Sequence, residues 1–574
     1  MTELRRASDF PPVAEPSAKK PWHQYVRLLR PEADDLRTIV VYGVAVALLS
    51  LAVPLTVDAL ISNVTFGTLL APLVVLVAVL LVCLSLQGLL RTLQTYIAEV
   101  VQRRIFVRIV GDLAWRLPRV DIRAFDRRYG PEMVNRFFDT VNVQKSSAKL
   151  VLDATNFVLT TGVGMLVLAF YHPLLLVFAL LMLAALCVIV FVMGIGGVRT
   201  AVAESSAKYE VAAWLQEVAR HTTAFCTHGG ALFAKERAQS LAQDYVDARK
   251  RHFAIVFRQI CASYGLHVVA STAMLAFGGW LVIDQQLTPG QLVASELIVT
   301  AIVTNIIKLD TMLQSWYDAC ASSTKLGSLI DLPLERQNGD DIQHAGGVRV
   351  DLDCVTCGVP GETGEDVELT LAVAPGERVA LTGSAGGRAS TLLDILMGLR
   401  EPVHGHVTID GLDIRQLRLD RMRDEFALVH GTEIVEGTVL DNIRFGRSDI
   451  GAQQVREALL QVGLWDEILQ LPAGLETELM SRGRPLNASQ ASRLMLARAI
   501  VGAPKLLLLD GALDHLPEQT RRAVCTNLFD RRHGWTVIVV TAMPDVIGAC
   551  DRALNIEFDV VRAADEPAGG APRG

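Results

Sequence analysis

The chain has 574 residues, 51% of them hydrophobic and only 20% charged, with a mean hydropathy of +0.35. That apolar excess excludes a disordered, collagen-like or small disulfide-stapled protein and fits a chain that spends part of its length in lipid. Its 54 Lys and Arg against 61 Asp and Glu leave a net charge of −7, which gives no sign of nucleic-acid binding.

The 9 Cys are odd in number and scattered, mostly in apolar runs such as those holding Cys83, Cys187 and Cys261, and are expected to be buried thiols. Cys354 and Cys357 form one C-x-x-C without the second pair or the nearby His that a zinc site needs.

In chain order, residues 1–36 are polar, rich in Pro, Lys and Arg, and lack the apolar core of a secretory signal, so they are expected to form a cytosolic leader. A membrane domain over 37–330 follows. Its apolar runs lie near Thr38–Val64, Ala71–Leu93, Leu150–Tyr171, Leu174–Val198, Ser263–Ile283 and Leu292–Ile307. The first five reach the ~20 residues that a lipid core demands, and the sixth is shorter.

Lys and Arg are absent from Ile61–Pro72, from the Tyr171-His172-Pro173 turn and from Asp284–Gln291. The opposite connections are long and basic, with Arg103, Arg104, Arg108, Arg116, Arg119 and Arg123 after the second run and Arg199 to Arg258 after the fourth. Positive charge stays on the cytosolic side, so both termini are expected there, in an integral membrane protein in contact with lipid. The two basic connections have few Pro or Gly and are expected to be membrane helices continuing into the cytosol, ~37 Å for each 25 residues, with tips near Phe125–Asp139 and Glu210–Thr223.

Residues 331–347 are a polar linker, and a soluble domain over 348–560 alternates short β-rich runs with helical stretches, an α/β pattern. Residues 561–574, rich in Ala, Gly and Pro, are expected to be a disordered tail. In the soluble domain, ERVALTGSAGGRASTLLDIL sets a strand, a glycine-rich turn and a helix in succession, the arrangement of a phosphate-binding loop. Downstream, KLLLLDG is an apolar strand ending in Asp510, a carboxylate placed to hold magnesium.

Six apolar runs, two long connections and this motif order resemble the ATP-binding cassette half-transporters of exporter type. The resemblance covers roughly Trp22 to Glu557, with GHVTIDGLDIRQL from Gly405, GTVLDNIRFG from Gly437, LNASQASRLMLARAI from Leu486 and FDRRYGPEMVNRFFD from Phe125 in matching order. It implies a multi-domain chain: a six-helix transmembrane domain of ABC exporter type, then an α/β P-loop nucleotide-binding domain.

The resemblance also implies which residues meet nucleotide: Gly383, Ser384, Ala385, Gly386, Gly387, Arg388, Ala389, Ser390 and Thr391 of the loop, with Asn487 and Gln490 of the signature segment. Ser390 and Asp510 would hold the metal when nucleotide is bound. Against the family pattern, however, the chemistry has been removed. The family's loop Lys is Ala389 and the Gly before it is Arg388. The Glu after the strand Asp is Gly511, the switch His is Ala542, the metal-coupling Gln is His430 and the adenine-stacking aromatic is Val359. The signature, Leu-Ser-Gly-Gly-Gln in the family, stands as Leu486, Asn487, Ala488, Ser489 and Gln490.

Weak binding of ATP and Mg2+ with little or no intrinsic ATPase is therefore expected. In this family each nucleotide lies between two chains, so the partner would be a second half-transporter, an intact one in a heterodimer before a second copy. A bacterial inner-membrane location goes with that expectation. The alternatives are a membrane scaffold or nucleotide sensor that transports nothing, and an active exporter in which Arg388, Glu433 or Glu436 replaces the lost groups. Within or near the spans Asp58, Asn156, His267, Glu296 and Asp310 are the polar candidates, and Glu296 is the one expected on a substrate path.

Overall fold

The structure is a computed structural model that describes residues 21–65, 70–126, 130–341, 346–356, 368–383, 387–480 and 483–556. Two compact units divide it, one of residues 1–120 and 127–333, the other of 121–126 and 334–574.

The first unit holds six helical segments long and apolar enough to cross a membrane, running Pro21–Ser62, Leu73–Arg119, Gly130–Tyr171, Pro173–Arg220, Gly230–Ile283 and Pro289–Ile330. Leucine, valine and alanine runs with no interior break let Leu70–Arg116 and Gly230–Ile283 form single helices of 47 and 54 residues, about 70 and 80 Å long. Their apolar side chains face outward, Val74, Leu81, Val82 and Leu275 among them, because lipid rather than a protein core is their solvent. That corrects the expectation of buried thiols: Cys187 and Cys261 are exposed, and apolar neighbours in a span do not imply burial inside the protein.

Small residues set the inner packing. A Cβ on Gly164 would stand 3.0 Å from Ile298, and one on Gly278 would meet Leu292 at 2.6 Å. The inner core gathers Leu168, Leu175, Met274, Leu281 and Ile302, all fully buried. Folded structure begins earlier than the expected leader allows. Pro21–Leu29 is helical, with Tyr25 and Leu29 buried on one face and Tyr25 edge-on to Trp316 at 5.7 Å. Tyr25 and Leu29 recur at helical spacing, enough to fasten a segment whose composition is otherwise polar, while Trp22 stays exposed.

The fourth span is broken. Helix Pro173–Cys187 widens at Val188–Val192, where Met193 N–H reaches back five residues to the Val188 carbonyl. The chain then turns through Gly196 at φ +86° before Gly197–Arg220 resumes. Carbonyls released by the break are taken up by the fifth span: Gln259 Nε2 donates to Ile189 O at 3.1 Å and Arg258 to Met193 O. Tyr317 Oη donates in turn to Gln259 Oε1 at 3.1 Å. A Cβ on Gly197 would lie 2.5 Å from Tyr317 Cζ, so glycine is required there for contact, as it is at Gly196 for the turn.

Helix Gly197–Arg220 continues through the segment where a tip was expected, and the reversal comes at His221–Gly229, with Gly229 at φ +79° supplying the turn. Nothing in Glu210–Arg220 breaks a helix, so the turn waits for the Gly pair. Along these extensions Asp139 is fully buried and accepts from Tyr209 Oη at 2.8 Å and Ser322 Oγ at 3.2 Å, with Lys208 at 3.9 Å. Those partners are what a carboxylate out of water requires.

The second unit is built on strands β1 Val350–Thr356, β2 Glu368–Val373, β3 Arg378–Thr382, β4 His404–Ile409, β5 Leu412–Asp413, β6 Phe426–His430, β7 Gly437–Thr438, β8 Glu478–Leu479, β9 Leu506–Asp510, β10 Thr536–Val540 and β11 Arg552–Asn555. An antiparallel sheet runs β2-β1-β4-β5, a parallel one β11-β3-β10-β9-β6, and β7 pairs with β8. Leu506 to Leu509 of β9 are fully buried, as expected for a central parallel strand covered on both faces.

Within the expected linker, Glu335 pairs with Arg423 at 2.7 Å and Arg336 donates to the Leu417 carbonyl at 2.6 Å, so this stretch is fastened to the second unit. The expected tail, 561–574, lies outside the described residues.

Candidate functional site

In an open parallel sheet the strand carboxyl ends carry the ligand site. Here the register does the arranging. His430 at the end of β6 is paired with Asp510 at the end of β9, and Asp510 in turn with Val540 at the end of β10. Paired residues of neighbouring strands point to the same face, so His430 and Asp510 are set side by side by strand geometry.

Their side chains meet, His430 Nδ1 lying 2.6 Å from Asp510 Oδ2. Burial works against a charge on Asp510, but the imidazole and the Ser390 hydroxyl, which bonds the same carboxyl, hold it below the usual carboxylate range. The same bond raises His430 above an ordinary histidine, with Asp394 and Glu433 adding to the pull. A cavity of about 300 Å³ opens beside His430, lined also by Glu433, Phe445, Arg447 and Arg498.

The loop residues fall as follows. Gly383 follows β3 and is exposed, Gly387 caps the helix Arg388–Leu396 at φ +84°, and Thr391 Oγ1 donates to the Gly387 carbonyl at 3.1 Å. Arg388, Ala389 and Ser390 occupy the first helical turn, where free N–H groups favour an anion. Ser384, Ala385 and Gly386, and the adenine-side Val359, lie outside the described residues.

Gly511 follows Asp510 at φ +60°, its N–H bonded to the Val540 carbonyl at 3.0 Å. No side chain reaches from that position. The Ala542 N–H donates to Asp514 Oδ2 at 3.2 Å and Thr541 Oγ1 donates to Asp514 Oδ1. Asp514 went unnoticed in the sequence; it has no motif of its own and is found only by the contact. Of the two acids considered as substitutes, Glu433 acts on His430 electrostatically.

The signature segment is committed to its own helix. Asn487 Oδ1 accepts from Gln490 N–H and Gln490 Oε1 from Asn487 N–H, both at 2.9 Å, a reciprocal cap on Ala488–Ile500. Gln490 Nε2 also donates to Glu467 at 2.8 Å, beside Arg493.

Segment Asp121–Asp126, which belongs with the second unit, is held by Arg400. That guanidinium reaches Asp126 at 2.6 and 2.9 Å and Asp394 at 3.1 Å. Asp394 lies on the helix that the phosphate loop opens, and burial lifts its carboxyl despite the Arg400 bond.

In the first unit a cavity of about 460 Å³ is lined by Arg91, Gln94, Asp153, Asn156, Phe157 and Lys308, among others. Among the described residues no ion pair forms on Arg91, Asp153 or Lys308, and Asn156 Oδ1 is buried without a partner. Asn156 is thus the one polar span candidate that reaches this cavity. Glu296 does not line it; its helix turns Ile298, Ala301, Asn305 and Lys308 toward the space and Glu296 the other way, with Oε2 buried and unpartnered. Arg91 and Lys308 were missed, although a lone arginine inside an apolar run is the signal that marks such positions.

The family model described as ABC transporter transmembrane region matches residues 36–306, and the model described as ABC transporter matches 367–514. The chain is 27% identical over 568 residues to the mitochondrial potassium channel ATP-binding subunit of Xenopus tropicalis, covering 94% of this chain and 81% of that one. It is 29% identical over 285 residues to the ATP-dependent lipid A-core flippase of Chromobacterium violaceum, about half of each chain (49% and 49%).

A solved bacterial Atm1-family ABC exporter with ATP bound superposes with a TM-score of 0.80 at 20% identity, covering 92% of this chain and 93% of that one, which shows the fold. With six apolar helices ahead of a nucleotide-binding fold, and both family models matched in that order, the chain belongs to the ABC transporters as an integral-membrane half-transporter of exporter fold.

Proposed function

We propose that this chain is the non-catalytic, or weakly catalytic, half of a dimeric exporter, pairing with an intact half-transporter in a bacterial inner membrane with both termini in the cytosol. One observation carries the reading: the three water-handling and phosphate-handling positions, Ala389, Gly511 and Ala542, bear no functional side chain around an otherwise regular strand-end site. A domain of this family binds ATP and Mg2+ in general. Here the phosphate contacts are reduced to the loop backbone and small hydroxyls, so nucleotide is held weakly.

The shared frame for dimerisation supports a working transporter over a decayed one. The cavity with Arg91 and Lys308 beside Asp153 favours a passenger bearing an anionic group. ATP turnover of the purified full chain tests the reading. The chain alone is expected to turn over no faster than its detergent background, and Ala389→Lys, Gly511→Glu and Ala542→His are each expected to restore nothing singly, since these groups act as a unit. Hydrolysis at an ordinary exporter rate by the unmodified chain would overturn it.

A further inference from the structure

The fourth and fifth spans leave the bilayer side by side, their apolar runs ending at Val198 and beginning at Ser263. Gln259 and Arg258 reach the Ile189 and Met193 carbonyls, a Cβ on Gly196 would touch Ile255 at 3.6 Å, and Thr200 Oγ1 lies 3.0 Å from His252 Nδ1. These contacts set 189–200 against 252–259. The edge of the lipid, on the side of the long helical extensions, therefore crosses both helices at the break in the fourth span.

Two cations without a counter-charge stand at this edge. Arg199 lies in the first turn after the break, and Arg258 caps the Met193 carbonyl. Both are exposed, and among the described residues neither forms an ion pair, while the Arg199 side chain forms no hydrogen bond either. The first carboxylates met along the two extensions are already engaged, Glu204 by Arg249 at 2.6 Å and Asp247 by Lys250 at 3.3 Å.

The apolar outer face continues past these arginines. Val268, Tyr264, Phe257 and Phe253 recur at helical spacing and stand exposed, the two phenylalanine rings 5.7 Å apart. Phe257 lies about 9 Å beyond Ser263 along the helix, past the acyl core and at the depth of headgroups.

We propose that this edge seats an anionic phospholipid of the adjoining leaflet, its phosphate held by Arg199 and Arg258 and its glycerol end lying along the stripe of Tyr264 and Phe257. Two features select that occupant: the stripe is continuous with the lipid-facing surface, and the charge it carries at headgroup depth is positive. A guanidinium fork matches a phosphate, and cations at a membrane surface attract anionic lipid. Arg258 Nη2 stays on the Met193 carbonyl while Nη1 is left for the phosphate, so a bound headgroup holds the cap in place and stiffens the break.

The test uses the full chain in nanodiscs of phosphatidylcholine, alone or with phosphatidylglycerol as a fifth of the lipid. Native mass spectrometry counts the lipids that stay bound, and amide hydrogen exchange reads 188–197. The unmodified chain is expected to retain phosphatidylglycerol about twentyfold over phosphatidylcholine, corrected for composition, and to exchange about fivefold more slowly at 188–197 in the mixed discs. Arg199→Gln and Arg258→Gln should each cut the preference about fivefold. Arg199→Gln is the decisive variant, since that side chain has no hydrogen bond to lose and its removal leaves the fold intact. Arg237→Gln removes an exposed cation about 30 Å farther along the same extension and should change nothing. Soluble glycerol 3-phosphate added to pure phosphatidylcholine discs should not slow the exchange.

No preference for phosphatidylglycerol in the unmodified chain, full preference in Arg199→Gln, or an equal loss in Arg237→Gln would each overturn the proposal. So would exchange at 188–197 that ignores the anionic lipid, or slowing by glycerol 3-phosphate alone.

Discussion

Replacing Arg400 by Gln removes the guanidinium shared by Asp126 and Asp394. The three side chains are only 16%, 21% and 21% exposed, so the ions are mostly out of water, and two carboxylates are left facing each other's former partner. Breaking a buried pair from one side costs about 3–5 kcal/mol. Partial exposure lowers that, and so does Asp394, whose carboxyl already lies above the ordinary range because of burial and takes up a proton more readily once the arginine is gone.

About 2 kcal/mol remains, roughly thirtyfold in the opening equilibrium of Asp121–Asp126. Amide hydrogen exchange of the full chain in detergent reads it: the segment should exchange about thirtyfold faster in Arg400→Gln. Arg123→Gln is the contrast: Arg123 pairs with Asp121 inside the segment itself, and beyond the segment it meets Glu401 at 3.6 Å with half its side chain exposed, a kind of pair that contributes at most about 1 kcal/mol. A segment that exchanges at the same rate with and without Arg400 refutes the reasoning.

Two further outcomes are expected. Gly197→Val drives a side chain into Tyr317, displacing the hydroxyl that bonds Gln259, and should lower stability by about 2–4 kcal/mol from overpacking and the lost hydrogen bond, seen as a lower thermal unfolding temperature in detergent.

Asp545, gripped by Arg521 at 2.9 and 3.1 Å, is held below the usual carboxylate range by that bond. Its contribution is therefore present above the ordinary pKa of about 4 and is lost as pH falls through the depressed value. Asp545→Asn should be less stable than the parent at pH 7 and indistinguishable from it in strong acid; a gap that persists at low pH argues against the ion pair as its cause.

Much of the fold was legible because its signals are local. Twenty apolar residues in a row announce a span, and LTGSAGGRAST announces a strand, turn and helix without help from the rest of the chain. What was hidden depends on contact between distant residues. The match of His430 to the metal-coupling position was visible, but its bond to Asp510, 80 positions on, is set by the pairing of β6 with β9, which no window of sequence contains.

Arg400 looks like any exposed loop cation until Asp126 closes on it. The reversal expected over Glu210–Thr223 comes at its far end and beyond, at His221–Gly229, because polar, helix-favouring residues carry no turn signal and the helix runs on toward the glycines. The segment Pro21–Leu29 was hidden for the opposite reason: Tyr25 and Leu29, four residues apart, suffice to seat it, and composition averages them away.

The broken fourth span makes that segment two levers on a pivot. A continuous helix of this length would carry a tilt at one end to the other undiminished, whereas the bend at Val188–Gly197 lets the stretch beyond it swing while Pro173–Cys187 stays seated among its neighbours. Because Arg258, Gln259 and Tyr317 come from two other spans, the pivot's stiffness is set by the relative height of three helices. Sliding any of them uncovers a carbonyl, so the joint is stiff in register and loose out of it.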